Sequence, residues 1–200
     1  SQHADAIFIM GYDYLWSGGN PGPVAPLVGG GPWSRWSLSD TVQTYLDEGA
    51  DPERLILGLP LYGRTWPTTD NSIPGTATGS GSTVTLVQGV ALAETHGRLY
   101  DTVSDTSYTF ITSTSQTWYD DPESLQVKIH WAIEQGLGGI EIAEVVLENA
   151  EVEGGGELAG VFGLAVGLDR RSEFASSFVG PIELDVAGAE ALAGLGRHRV

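Results

Sequence analysis

Three short apolar runs, at residues 6–10, 55–61 and 137–142, alternate with segments that carry helical spacing and helical caps. That alternation constrains the fold more than any other feature. Residues 6–10 lie between Asp5 and Gly11 and predict a strand buried on both faces, and residues 55–61 predict a second buried strand. Ser37 and Asp40 fit a capping box, Leu38, Val42, Tyr45 and Leu46 fall on one helical stripe, and Gly49 stops it. Asp121-Pro122-Glu123 starts another helix, with a side-chain cap, a proline at the first helical position and an acid in the first turn. Leu125, Ile129, Ala132 and Ile133 form its stripe, Gly136 ends it, and residues 137–142 follow as a third strand. The order strand, helix, strand, insertion, helix, strand argues for parallel βα units in an α/β fold.

Two stretches break the pattern. Residues 16–36 are Gly- and Pro-rich loop with three tryptophans. Residues 66–119 are rich in Thr, Ser and Gly, with alternating segments at 83–87, 99–103 and 108–112 and a short helix at 90–96. They predict a small α+β insertion. Past Ala143 the periodicity fades: Glu141, Glu144, Glu148, Glu151, Glu153 and Glu157 have no basic residue among them, and residues 144–200 are expected to be weakly specified or disordered. The predicted division is residues 1–65 and 120–143 as parallel α/β segments, 66–119 as insertion and 144–200 as an acidic, Gly/Ala-rich tail.

The charge balance, 26 acidic residues against nine basic for a net −17, repels phosphate backbones and argues against nucleic acid as a partner. No run is apolar and long enough for a membrane span. There is no cysteine, and His3, His96, His130 and His198 show no ligand spacing, so neither metal nor cofactor is expected. Ser1 opens the chain and Met10 is its single methionine, as expected where a leader has been removed or where the sequence begins inside a longer protein. Oligomeric state is not legible.

In parallel βα architectures, functional groups collect where strands end. Tyr12-Asp13-Tyr14 supplies a phenol beside a carboxylate, and Tyr62-Gly63-Arg64 supplies a guanidinium. Trp16, Trp33, Trp36, Trp66 and Trp118 lie in loops or at element ends, where aromatic faces can stack on sugar rings. Each has a structural alternative: an aromatic and an Asp closing a strand serve as a packing and turn pair, Arg64 as an ion-pair residue, and loop tryptophans as core caps. The acidic run is most simply a solvated tail, and His130 structural.

The order of these segments resembles the family 18 glycoside hydrolases. Residues 4–14, with Met10, Tyr12 and Asp13, look like that family's sixth barrel strand, and residues 55–64, with Tyr62-Gly63-Arg64, look like its seventh. Residues 119–125 and 136–140 are similar to the approach to its last helix and eighth strand. The resemblance covers residues 4–142 and implies strands 6 to 8 of a (β/α)8 barrel with an α+β insertion. It also implies substrates that are β-1,4-linked N-acetylglucosamine polymers, cleaved with retention by attack of the substrate's own N-acetyl oxygen. By resemblance, Tyr12 donates to that carbonyl, Asp13 bonds the sugar and its neighbours, and Arg64 contacts sugar or a nearby acid. Met10, Tyr62, Trp16 and Trp66 complete the expected substrate contacts, and an extracellular parent is expected.

Two departures accompany the resemblance. The family's Asp-x-x-Asp-x-Asp-x-Glu motif, which supplies the proton, is not in this sequence, and Ala143 stands where a tryptophan usually floors the sugar site. From Glu141 the match stops, as a shifted reading frame or false C-terminus would produce. The chain is therefore expected to be inactive alone. The competing expectations are a non-hydrolytic, lectin-like relative and a purely structural fragment.

Overall fold

A computed structural model describes residues 4–33, 36–147 and 159–167. Two sheets organise the chain. The first has the order β1-β2-β8-β9, with β1 at Ile7–Met10, β2 at Leu55–Pro60, β8 at Gly139–Leu147 and β9 at Ala159–Gly167. β1 pairs with β2 and β2 with β8 in parallel, whereas β8 and β9 form an antiparallel pair. Helix α1 (Leu38–Asp47) connects β1 to β2, and α3 (Pro122–Glu134) precedes β8. The expected parallel βα units are therefore present.

The caps form as their chemistry dictates. Ser37 Oγ accepts from the Asp40 amide at 3.2 Å, and Asp121 Oδ1 accepts from the Ser124 amide at 3.0 Å. Leu38 and Val42 of α1 and Leu125 and Ala132 of α3 pack on Ile9, Leu55, Leu57, Leu59 and Ile140. Burial of each such leucine contributes about 1.5–3 kcal/mol. Gly138 enters β8 beneath the 3-10 turn at Pro52–Arg54, where a Cβ would run into the Glu53 carbonyl oxygen. The other face of β1 is exposed. Phe8 is 40% and Met10 68% exposed, so β1 is buried on one face, not on both as its composition suggested. Apolar runs alone do not distinguish one covered face from two.

The second sheet has the order β4-β3-β7-β6-β5, antiparallel throughout: β3 at Tyr62–Pro67, β4 at Ser82–Thr85, β5 at Leu99–Asp101, β6 at Thr106–Thr112 and β7 at Ser115–Tyr119. It begins at Tyr62, earlier than residue 66, because β2 passes through Leu61 directly into β3. Helix α2 spans Leu86–His96, longer than expected, and Thr85 and Gln88 close a capping box at its start. Trp118 stacks on Tyr108 at 4.5 Å and meets Trp33 edge-on at 4.9 Å, which ties the loop after β1 to this sheet. β8 continues to Leu147, beyond the expected Ile142, and its pairing with β9 lies within the stretch expected to be weakly specified. The rest of that expectation, at 148–158 and 168–200, lies outside the described residues.

Candidate functional site at the strand ends

Tyr12, Asp13, Tyr62 and Arg64 converge where β1 and β2 end and β3 begins. Asp13 has φ +58, a left-handed conformation that Asp tolerates better than most residues and that turns the chain sharply after β1. That turn brings its carboxylate to Arg64, whose Nη2 and Nε donate to Oδ1 at 2.7 and 3.2 Å. Arg64 Nη1 donates to Thr83 Oγ1 at 3.1 Å, so β4 holds the guanidinium from its other side. Gly63 is required between Tyr62 and Arg64: a Cβ there would strike the Trp118 carbonyl oxygen of β7.

Tyr12 meets Tyr62 edge-on, with ring centroids 6.2 Å apart, and the Arg64 guanidinium lies 5.7 Å from the Tyr62 ring centre. Burial, then the charges of Glu141 and Asp13, push the Tyr12 phenol above its ordinary range. Tyr62 is pushed up further, chiefly by burial and then by Asp13. Both phenols therefore remain neutral donors at neutral pH.

Met10 is also at this end, with its side chain exposed on the open face. The register places Met10, Gly58 and Glu141 in one row across β1, β2 and β8, hence on one face. Glu141, whose charge acts on the Tyr12 phenol, is a further candidate at this site that sequence reasoning missed, having counted it only as the first acid of the tail. A lone carboxylate inside the apolar strand Gly139-Ile140-Glu141-Ile142 was the available signal.

The tryptophans divide. Trp16 is 59% exposed and Trp36 is also exposed, whereas Trp33, Trp66 and Trp118 are buried. Trp66, expected to stack on sugar, is wholly enclosed, because β3 turns it into the insertion core with Val24, Tyr62 and Trp118. Its ring presents no face to solvent. Among the described residues, no group of three or more His, Asp or Glu could hold a metal ion, and no helix is long and apolar enough to cross a membrane.

Residues 1–144 match the profile of glycosyl hydrolases family 18. Chitinase 63 of Streptomyces plicatus is 29% identical over 147 residues, which are 70% of this chain and 24% of that protein. A family 18 chitinase from Cycas revoluta, solved in complex with (GlcNAc)3, aligns at 27% identity and TM-score 0.61 over 68% of this chain and 41% of its own. The chitinase-like agglutinin of Robinia pseudoacacia aligns at 26% identity and TM-score 0.59 over 70% and 42%. The chain thus spans about a quarter of the length of the Streptomyces relative and less than half of each solved chain. These likenesses carry with them the (β/α)8 barrel as the family's architecture, and the sequence match leaves one assignment: the chain belongs to glycosyl hydrolase family 18.

Proposed function

We propose that this chain is the C-terminal part of a chitinase-type barrel, with β1, β2 and β8 as its sixth to eighth strands and residues 66–119 as an insertion. In this reading it supplies one half of a site for β-1,4-linked N-acetylglucosamine polymers. The pairing of Asp13 with Arg64 beside the Tyr12 phenol carries the proposal. Tyr12 donates its hydroxyl to the N-acetyl carbonyl oxygen, holding that oxygen for attack on the anomeric carbon and countering the charge that develops. Asp13 and Arg64 bond sugar hydroxyls, and Met10 and Tyr62 shape the adjacent wall. By the family resemblance, the proton for the leaving oxygen comes from the Glu of the Asp-x-x-Asp-x-Asp-x-Glu motif, which is not in this sequence, while Asp13 pairs with Arg64. The open sheet face at Phe8 and Met10 supports the partial-barrel reading, because a barrel interior is filled by side chains from all its strands.

The test is the purified chain with a fluorogenic chitobioside, beside an Asp13→Asn control. Turnover at the level of the control is expected, and turnover well above it would put the acid within this chain. A second reading, a non-hydrolytic carbohydrate-binding protein, is favoured by the likeness to the Robinia agglutinin. A barrel completed with its N-terminal half separates the two: hydrolysis marks the enzyme, and binding without hydrolysis the lectin-like form.

A further inference from the structure

Glu141 is a carboxylate on an otherwise apolar sheet face. It shares a row with Met10 and Gly58 across β1, β2 and β8, and Phe8, two residues before Met10, belongs to the same face. Gly58 has no side chain, so β2 puts nothing between Met10 and Glu141 in that row. Strand spacing sets their Cα atoms roughly 10 Å apart. We propose that Glu141 selects a cationic amino sugar: an oligosaccharide in which the unit beside the one that Tyr12 holds carries a free ammonium group in place of the acetamide. This rests on the reading of the Tyr12 site given above. Each such unit has a single nitrogen, so the acetamide at Tyr12 and the ammonium at Glu141 must belong to neighbouring units.

The charges decide the ligand. Among the described residues, no arginine or lysine pairs with Glu141, because each is engaged elsewhere. Arg64 is taken by Asp13 and Thr83, Arg98 by Asp121 and Glu123, and Lys128 by Asp120 and Thr106, while Arg54 donates to the Ala4 carbonyl. Asp13 and Arg64 cancel, which leaves Glu141 as the uncompensated charge of the site. Tyr12 registers it: after burial, the charge of Glu141 is the next cause that raises the phenol, ahead of Asp13, its own chain neighbour. Glu141 is already half-buried. A neutral sugar docked on this face would strip more water from the carboxylate and return no opposite charge. An ammonium group supplies one, with a charge-assisted hydrogen bond. The net charge of −17 draws a cation toward the site as well.

The experiment is calorimetric titration of the 200-residue chain at about pH 6, between the carboxylate and amine ranges. The ligands are N-acetylchitobiose, its two mono-N-acetylated counterparts and cellobiose. One mono-N-acetylated dimer is expected to bind wild type roughly three- to fivefold tighter than N-acetylchitobiose. Glu141→Gln should bring that ratio to about one, Glu141→Lys should invert it, and about 0.5 M salt should shrink it in wild type. Thermal melts identify a variant that fails to fold, and the salt dependence of wild type keeps the test usable if either does. A wild-type ratio near one overturns the selection. So does a ratio that survives Glu141→Gln, which would assign the attraction to the charge of the whole chain. Binding of N-acetylchitobiose no tighter than that of cellobiose overturns the Tyr12 reading first, and the selection with it.

Discussion

Arg64 and Asp13 meet through two hydrogen bonds on a single carboxylate oxygen, and the Asp13 backbone sits at φ +58 to make that meeting possible. The finding changes what the Tyr-Asp strand ending means. A turn residue alone would leave its carboxylate in solvent, whereas this one joins the end of the parallel sheet to the first strand of the antiparallel sheet. A non-glycine residue held at positive φ beside a charged partner is the kind of local cost that collects at functional sites.

The two roles of Asp13 separate by substitution. Asp13→Asn keeps a residue that tolerates the left-handed region but loses the charge, and Asp13→Val loses both. The pair is partly exposed, so Asp13→Asn should cost no more than about 1 kcal/mol of stability. Asp13→Val should cost a further 1–2 kcal/mol, roughly. Urea melts of both variants check this, and equal losses would remove the backbone argument.

A second prediction concerns Lys128 and Asp120, which form an ion pair with both side chains wholly buried between α3 and the insertion sheet. Lys128 Nζ also donates to Thr106 Oγ1 at 3.3 Å. Burial drives Lys128 down and Asp120 up; their contact is the main opposing influence, aided by Ser124 on Asp120 and by the charges of Asp105 and Asp121 on Lys128. Lys128→Met should destabilise by about 3–5 kcal/mol, because it strands a buried carboxylate, and adding Asp120→Leu should recover part of that. A double variant no better than the single would contradict this.

Much of the parallel sheet was legible because its signals are local: apolar runs, Ser37 and Asp121 caps, and glycine stops. β3 and β7 were not, because Thr117 and Gln116 are buried polar residues with partners elsewhere in the chain: Thr117 and the half-buried Thr65 share a 2.7 Å bond, and Gln116 Nε2 donates to the Asp70 and Ser72 carbonyls. Their burial depends on a partner strand distant in sequence. The same cause misplaced Trp66, and it hid Lys128, which looks like any solvent-facing helix lysine until Asp120 is found beneath it. At the candidate site, Tyr12, Asp13 and Arg64 were legible as strand-end residues, but their convergence was not, since it needs the left-handed turn at Asp13. Glu141 was lost among the acids that follow it.

Acid should loosen the insertion through Asp121. Burial pushes its carboxyl up, but hydrogen bonds from Arg98, the Ser124 amide and Ser107 outweigh that and hold it below the usual carboxylate range. A folded-state value below the unfolded one adds stability above the unfolded value of about 3.9, and that stability is lost as pH falls through the lowered one. Asp121→Asn should therefore flatten the fall of the melting temperature below about pH 4. An unchanged acid limb would place the titration elsewhere.

The claim that Tyr12 holds an N-acetyl group is tested most directly by oligosaccharide affinity with and without that group. Isothermal titration of the chain and of Tyr12→Phe should be run with N-acetylchitobiose and with cellobiose, which differ in the acetamido substituent. Wild type should prefer the acetylated sugar, and Tyr12→Phe should weaken that binding by up to about tenfold, one hydrogen bond's worth, while leaving cellobiose unchanged. Because the Tyr12 phenol is pushed above its ordinary range, the preference should persist at mildly alkaline pH. An acetyl preference that survives Tyr12→Phe undiminished would contradict the account.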